Sequence, residues 1–299
     1  MQPTIRTIFE PVTGTWQYIV ADPSTNQAVI IDPVLDFNSS TGTVSTASAD
    51  KLLAAVNEHG YNITRILETH AHADHLTASR YLQGKLVEQG QKRPDLCIGK
   101  RIKDVQTLFG KRYGVKPEEM SNAFDKVFDD GETFTIGDVE AKVLHLPGHT
   151  PDHIGYVIGS NVFTGDSIFN ADVGSARCDF PGGSATQLYN SIQTLLSLPE
   201  EYRLYTGHDY PPADREGGKV EKPYCTVKEQ REQNKHASAK VPEEDFVSWR
   251  SGRDAGLSEP KLIHQALQVN IRAGRLPGEG EEGYRFLSVP VKGVVKGLL

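Results

Sequence analysis

The stretch that decides the fold lies at positions 69 to 75 and reads Thr69-His70-Ala71-His72-Ala73-Asp74-His75. It places four potential metal ligands within six residues, in a chain with 10 histidines among 299 positions. The apolar residues before it predict a short buried strand from Ile63 to Thr69, which delivers His70 into a loop. Because a loop can turn alternate side chains toward one point, this run indicates a metal site.

Three later segments repeat the arrangement of a strand followed by a potential ligand. Pro147 and Gly148 shape the turn that exposes His149. A single histidine of this kind would more often be structural, but the whole set in this order favours one site at a sheet edge. The segments are Leu146-Pro147-Gly148-His149-Thr150, Phe163-Thr164-Gly165-Asp166 and Thr206-Gly207-His208-Asp209-Tyr210. Five histidines lie outside these segments and are interpreted as structural or surface residues: His59, His145, His153, His236 and His264.

The order of predicted elements indicates the fold class. Strand runs followed by helices occur twice, which predicts two sheets packed face to face with helices outside. A helix is expected from Leu76 to Gln89. The segment from Gln91 to Gly114 is expected to lie mostly on the surface and to hold a possible strand at Leu96-Cys97-Ile98 and a short helix. We expect a single domain with a core over residues 1–210 and a C-terminal extension, residues 211–299, packed on it. That extension is predicted to hold a charged helix from Thr226 to Lys240 and another near Pro260 to Val269.

Composition excludes several classes of partner. The net charge of −7 gives no long-range attraction for nucleic acid or for anionic membrane surfaces. No apolar stretch approaches the roughly 20 residues that span a bilayer, and the N-terminal residues lack a signal or transit pattern. A cytoplasmic protein is therefore expected. Cys97, Cys178 and Cys225 are an odd number at wide spacings, which fits a reducing compartment and structural roles.

The ligand motifs resemble those of the metallo-β-lactamase superfamily. Its HxHxDH motif is matched by His70, His72, Asp74 and His75, and the resemblance extends over roughly Phe9 to Tyr210. It implies an α+β fold, an αββα sandwich of two mixed β-sheets flanked by helices, with the metal site at one edge of the sheets. The later ligands of that family fall at His149, Asp166 and His208.

Further segments resemble the persulfide dioxygenases of the ethylmalonic-encephalopathy protein type. The resemblance implies one Fe(II) per chain, bound by His70, His149 and Asp166, a set that leaves open positions for substrate sulfur and O₂. The sequence alone would allow a second metal at the remaining ligands, which in that family orient ligands and water: His72, Asp74, His75 and His208. The segments are Phe9-Glu10-Pro11-Val12, Thr15-Trp16-Gln17-Tyr18, Ile31-Asp32-Pro33-Val34-Leu35, Gly174-Ser175-Ala176-Arg177-Cys178-Asp179-Phe180, His208-Asp209-Tyr210 and Asn270-Ile271-Arg272-Ala273-Gly274.

The same resemblance implies that the substrates are glutathione persulfide and O₂, with sulfite and glutathione as products. Arg177 and Tyr210 match positions close to the substrate, where charge-assisted and phenolic hydrogen bonds suit an anionic sulfur or a carboxylate. Cys178 is not interpreted as catalytic, because no base is paired with it. Arg272 and Arg275 are expected on a solvated face. The oligomeric state stays open, although dimers are common in such enzymes.

Other functions are compatible with the same ligands. A dinuclear zinc hydroxyacylglutathione hydrolase, related to glyoxalase II, would attack a thioester with a bridging hydroxide. A non-catalytic metal-binding module is disfavoured because every ligand position is filled. A β-lactamase or lactonase is disfavoured because no export signal is seen and because the segment around Arg177 favours a thiol substrate.

Overall fold

The computed structural model describes residues 2–215, 217–291 and 293, and within these ranges the chain forms fifteen strands and eight helices. The strands are β1 (Thr4–Glu10), β2 (Thr15–Ala21), β3 (Gln27–Ile31), β4 (Val34–Asn38), β5 (Thr43–Ser45), β6 (Asn62–Leu67), β7 (Leu76–Thr77), β8 (Asp95–Gly99), β9 (Lys126–Phe128), β10 (Thr133–Ile136), β11 (Val139–His145), β12 (Ile154–Ile158), β13 (Asn161–Gly165), β14 (Arg203–Thr206) and β15 (Tyr224–Thr226). The helices are α1 (Ala47–His59), α2 (Ser79–Glu88), α3 (Ile102–Tyr113), α4 (Pro117–Met120), α5 (Ala185–Leu196), α6 (Val227–Gln233), α7 (Glu243–Asp254) and α8 (Ile263–Asn270).

The strands form two large mixed sheets. The first has the order β1-β2-β3-β6-β8-β9, and its last four strands run parallel. The second has the order β10-β11-β12-β13-β14-β15, in which β13 and β14 are parallel. A small sheet, β5-β4-β7, lies beside the first.

Side-chain burial follows the position of each strand. In β11, Val139, Ala141 and Val143 are buried while the residues between them are exposed, the alternation of a strand with one face in the core. Every residue of β2 is buried, because the helices cover the second face of its sheet. The inner faces of the two sheets share one apolar core, to which Tyr18 and Tyr156 contribute.

The helices cover the outer faces of both sheets. Helices α1, α2 and α8 pack on the first sheet, where Leu52 and Leu82 are fully buried. Helices α5 and α7 pack on the second sheet through residues such as Ile192 and Phe246. The predicted α+β sandwich of the αββα type, with two mixed sheets flanked by helices, is confirmed.

The structure corrects details of two expectations for the segment after the first ligand motif. The predicted helix from Leu76 begins only at Ser79, because Leu76 and Thr77 pair as β7 with β4. The segment from Gln91 to Gly114 is largely exposed or half-buried, but the predicted strand at Leu96-Cys97-Ile98 is present as β8 and is buried. Strand β8 lies inside the first sheet between β6 and β9, and Phe109 of α3 is fully buried.

The described part of the tail, residues 211–215, 217–291 and 293, contacts both sheets. Strand β15 pairs with β14, and α8 packs against the first sheet. The predicted helix from Thr226 to Lys240 is wrong in length, since α6 ends at Gln233. There the side chain of Asn234 accepts the amides of His236 and Ala237. A domain boundary near residue 210 stays a prediction, and part of the proposed extension lies outside the described residues.

Among the described residues, none of the helices has the length and apolarity needed to span a bilayer.

Candidate metal centre

The ligand-bearing loops meet at one end of the two sheets. The loop after β6 carries His70, the loop after β11 carries His149, the loop after β13 carries Asp166 and the loop after β14 carries His208. All four side chains are buried. Each ligand follows a strand that the apolar pattern predicts, so the sheet fixes where each loop begins.

Two glycines allow close packing at these loops, Gly207 against another ligand loop and Gly148 against helix α5. A Cβ on Gly207 would lie 2.4 Å from Asp166 Oδ1, and the Gly207 amide donates to the Gly165 carbonyl at 2.9 Å. Gly148 has a φ of +141°, and a Cβ there would lie 2.3 Å from the backbone nitrogen of Leu188. A larger residue at either position would displace a ligand loop.

Three of the predicted ligands, His70, His149 and Asp166, form one compact group. One donor atom from each residue lies within 4.8 Å of the other two. His149 Nε2 is 3.7 Å from Asp166 Oδ2. Because metal–ligand bonds are about 2.0–2.2 Å long, donor atoms at such separations can reach one ion.

A second group lies beside the first and consists of His72, Asp74 and His75. His208 lies between the groups, with its Nε2 3.2 Å from Asp74 Oδ2 and 3.5 Å from Asp166 Oδ2. The structure therefore brings the seven residues predicted from sequence to one place. Their donor atoms can serve either one ion or two.

Buried polar atoms without a hydrogen bond show that the site suits a metal. Four of them, within the described residues, are His70 Nε2, His72 Nδ1, His75 Nε2 and Asp166 Oδ1. Leaving such an atom unsatisfied costs about 1–3 kcal/mol, so four in one place indicate a bound group. Imidazole nitrogens and a carboxylate together are ligands that zinc and iron accept.

Hydrogen bonds on the far side of the rings fix which nitrogen faces the site. His75 Nδ1 lies 3.2 Å from the Leu76 carbonyl, and His149 Nδ1 lies 2.7 Å from the Arg177 carbonyl. Since a carbonyl only accepts, Nδ1 carries the proton in both rings. The lone pair is therefore on Nε2, the tautomer that metal ligation requires.

His72 is held differently, by two buried carboxylates. Its Nε2 lies 3.1 Å from Asp32 Oδ1 and 3.4 Å from Glu68 Oε2. Burial alone would lower the pKa of His72, but the two carboxylates raise it well above its usual value. For His208, burial also lowers the pKa, but the charges of Asp166 and Asp74 outweigh burial and raise the pKa above its usual value.

The other buried rings favour the neutral form. Burial lowers the pKa of His75 to about 4, and it lowers the pKa values of His70 and His153 well below the usual range. Neutral imidazole is the form that binds a metal. His70 therefore suits its predicted role as a ligand, while His75 is also ready to coordinate.

The sequence interpretation missed several supporting residues. His153 Nε2 accepts the Asp166 amide at 2.9 Å, and its ring stacks on His70 with centroids 4.8 Å apart. Asp32 and Glu68 hold His72. Each directly follows a buried apolar strand, and an acidic residue at such a position could have been recognised from the sequence as a candidate site residue. No comparable pattern distinguishes His153.

Arg177 and Tyr210 line the cavity above the metal centre. The guanidinium of Arg177 is held by Asp179, with Nε 2.5 Å from Oδ1, and by the Ser258 carbonyl at 2.7 Å. Tyr210 is 51% exposed and donates to the Thr13 carbonyl at 3.2 Å. A substrate contact by either residue stays a prediction.

Predictions from the sequence also concern two arginines of the tail and Cys178. Arg272 is buried, with Nη1 2.7 Å from Glu119 Oε1, so the expectation that it faces solvent is wrong, whereas Arg275 is exposed. Burial raises the pKa of the Cys178 thiol to about 12, which agrees with a structural role.

A cavity of about 1370 Å³ opens over the metal centre. One wall comes from the β4–β5 hairpin, whose hydroxyl-bearing residues there are Ser39, Ser40, Thr41, Thr43 and Ser45. Another part of the lining comes from the tail and includes Lys235, Arg253 and Lys261. The wall that the tail contributes is thus basic in a protein whose net charge is −7.

Residues 11–208 match the family model of the metallo-beta-lactamase superfamily. This match, together with the αββα sandwich and the ligand loops described above, shows that the chain belongs to this superfamily.

Within the superfamily the chain is similar to proteins with three kinds of name. It is 45% identical to the beta-lactamase hydrolase-like protein of Agrobacterium fabrum, over 97% of this chain and 65% of that relative's length. It is 41% identical to glyoxylase B2 of Dictyostelium discoideum, over 93% of this chain and 94% of the relative. It is 29% identical to the human mitochondrial persulfide dioxygenase ETHE1, over 90% of this chain and 88% of the relative. The crystal structure of ETHE1 from Myxococcus xanthus superposes with a TM-score of 0.71, at 28% identity, over 91% of this chain and 100% of that one.

Proposed function

We propose that the protein is a mononuclear non-haem Fe(II) persulfide dioxygenase that oxidises glutathione persulfide. The observation that carries the proposal is the buried group of His70, His149 and Asp166 beneath a large cavity. The reaction is GSSH + O₂ + H₂O → GSH + H₂SO₃, in which the outer sulfur is oxidised to sulfite and O₂ is reduced. The human relative named persulfide dioxygenase ETHE1 and the solved structure of ETHE1 from Myxococcus xanthus support it.

The composition of the ligand group suits this chemistry. Two histidines and one carboxylate are the ligands of non-haem Fe(II) oxygenases, which keep open positions for substrate and O₂. Fe(II), when bound, supplies the redox change that zinc lacks. His70 Nε2 has no hydrogen-bond partner among the described residues, and the Arg177 carbonyl holds Nδ1 of His149 so that Nε2 faces the site. Asp166 supplies the carboxylate that offsets the cation.

The outer residues support a single ion. His208 Nε2 lies 3.2 Å from Asp74 Oδ2, so a carboxylate already engages the nitrogen that faces the site. His208 Nε2 is 3.5 Å from Asp166 Oδ2, where it can orient the carboxylate. These residues would therefore hold ligands in place, as outer partners of metal ligands commonly do.

The walls of the cavity support an anionic thiol carrier. Lys235, Arg253 and Lys261 face a cavity that also contacts His149 and Asp166. Glutathione carries two carboxylates remote from its sulfur, and cations bind carboxylates through charge-assisted hydrogen bonds. The sulfur would then lie over the metal while the carboxylates lie toward the tail.

A dinuclear zinc hydrolase acting on glutathione thioesters is the second candidate. It is favoured by the group of His72, Asp74 and His75 and by the low pKa of His75, near 4. The relative named glyoxylase B2 also favours it. In that case a hydroxide shared by two ions would attack the thioester carbonyl.

Metal content and O₂ uptake on one sample distinguish the two functions. The protein is purified anaerobically, its metals are measured by mass spectrometry, and glutathione persulfide is added. We expect about one iron per chain, O₂ uptake and sulfite release. About two zinc ions per chain, no uptake and cleavage of S-lactoylglutathione would overturn the proposal in favour of the hydrolase.

A further inference from the structure

The side chain of Asn270, at the end of α8, reaches the loop that carries the first ligand motif. Its Nδ2 donates to the His72 carbonyl and to the His75 carbonyl, each at 2.8 Å. Its Oδ1 accepts the Thr77 amide at 2.9 Å. Asn270 is 3% exposed, so the three bonds form away from water.

These partners fix the orientation of the amide. Two carbonyls can only accept and an N–H can only donate, so the opposite placement of oxygen and nitrogen would break all three bonds. Residues 70–75 form no helix or strand, and their backbone groups need partners from elsewhere. One side chain from the tail thus holds the loop at both ends of the second ligand group.

The turn that carries Asn270 is itself held firmly. Gly274 packs so closely that a Cβ there would lie 2.8 Å from the Thr77 carbonyl oxygen. Ala273 has a φ of +52°, which a residue with a Cβ adopts only when its surroundings require it. On the other side, the carbonyl of Ile271 accepts a hydrogen bond from Gln106 at 2.9 Å.

We propose that Asn270 is a positioning residue for the metal centre, because its amide sets the path of the loop from His70 to His75. The inference holds for either proposed reaction, since both use this loop. Removing an outer partner of a metal ligand typically costs about 10- to 100-fold in metal affinity. The same loss is expected here, although Asn270 touches no ligand side chain.

The test is a Co²⁺ titration of metal-free protein, read from the visible absorption of the bound ion. Asn270→Asp keeps the size of the side chain and the bond from Thr77, but it turns a carboxylate toward two carbonyls. We expect the dissociation constant for the first Co²⁺ to rise about 10- to 100-fold, with a changed spectrum. Asn270→Gln keeps both donors and is expected to recover part of the affinity.

Asn161→Asp is the matched control. Asn161 is also buried and donates to two oxygens, but it lies at the start of β13, away from Asp166 at the other end of that strand. Circular dichroism selects a temperature at which every variant is folded. If Asn270→Asp does not fold, Gly274→Ala retains the amide and displaces its turn, and it should weaken Co²⁺ binding less.

A folded Asn270→Asp or Gly274→Ala variant with wild-type Co²⁺ affinity and spectrum would overturn the inference. That result would leave the proposed reaction untouched, because metal content and O₂ uptake test it separately. Conversely, if the protein proved to be a zinc hydrolase, the proposed reaction would be wrong. Weaker metal binding by the Asn270 variants would still support the role of Asn270.

Discussion

The strand-end loops and the tail both reach the metal centre, but they bring different atoms to it. The loops supply the donor atoms of His70, His149 and Asp166. The tail supplies hydrogen bonds to those loops. For example, Asp254 of α7 accepts the Cys178 amide at 2.8 Å, and the neighbouring Arg177 carbonyl is the one that holds His149. The difference shows that metal-binding atoms are local features of the chain, whereas their orientation depends on residues far away in sequence.

The largest effect is expected from the loops. Replacing Asp166 by Ala removes the only carboxylate of the proposed iron group, so nothing offsets the charge of the ion within it. We expect metal content and turnover to fall well beyond the roughly 10- to 100-fold that loss of an outer partner causes. Mass spectrometry and O₂ uptake measure both quantities. A variant with full iron and full activity would show that the donors come from elsewhere.

A large effect on stability is expected from the tail. Arg215 is buried between Asp209 and Asp172, with Nη1 2.6 Å from Asp209 Oδ2 and Nε 2.6 Å from Asp172 Oδ2. Arg215→Met leaves the buried carboxylate beside His208 unpaired, which typically costs about 3–5 kcal/mol in unfolding free energy. Urea unfolding of the metal-free protein measures this change.

Arg93→Met is the control for Arg215, because Arg93 pairs with Asp125 at a half-exposed position. A surface pair of this kind contributes about 0–1 kcal/mol. Equal losses for the two variants would mean that the tail does not hold the loop of His208 more firmly than an ordinary surface contact does.

The comparison also explains what the sequence could and could not predict. Each ligand follows an apolar strand, so a local pattern located the site and the sandwich around it. Asn270 bonds to residues 193 to 198 positions earlier in the chain, and no local pattern records such a pairing. The buried face of the helix around Phe109 was missed for a related reason. Its polar residues suggested the surface, while its buried face depends on contacts with Phe180 and α8.

A smaller effect separates an outer residue from a ligand. His208→Ala should weaken metal binding by about 10- to 100-fold without removing the ion, if His208 only orients Asp166 and Asp74. The metal-to-protein ratio, measured at increasing concentrations of added Fe(II), distinguishes the two roles. A drop from two bound ions to one would instead make His208 a ligand and favour the hydrolase.

The smallest effect is expected at the basic wall that the tail contributes to the cavity. Lys261→Gln and Arg253→Gln each remove one positive charge next to the space above the metal, while both side chains remain exposed to water. An exposed ion pair contributes up to about 1 kcal/mol, so the KM for the glutathione substrate should rise by a factor of about two to five for each variant.

The kcat of both variants should stay unchanged, because neither residue belongs to the ligand groups. Lys240→Gln is the matched control, since Lys240 is exposed in the same tail and does not line the cavity. The effect should shrink at high salt, as expected for screened charges. An unchanged KM for both variants at low salt would mean that the tail holds the loops but takes no part in binding the carrier.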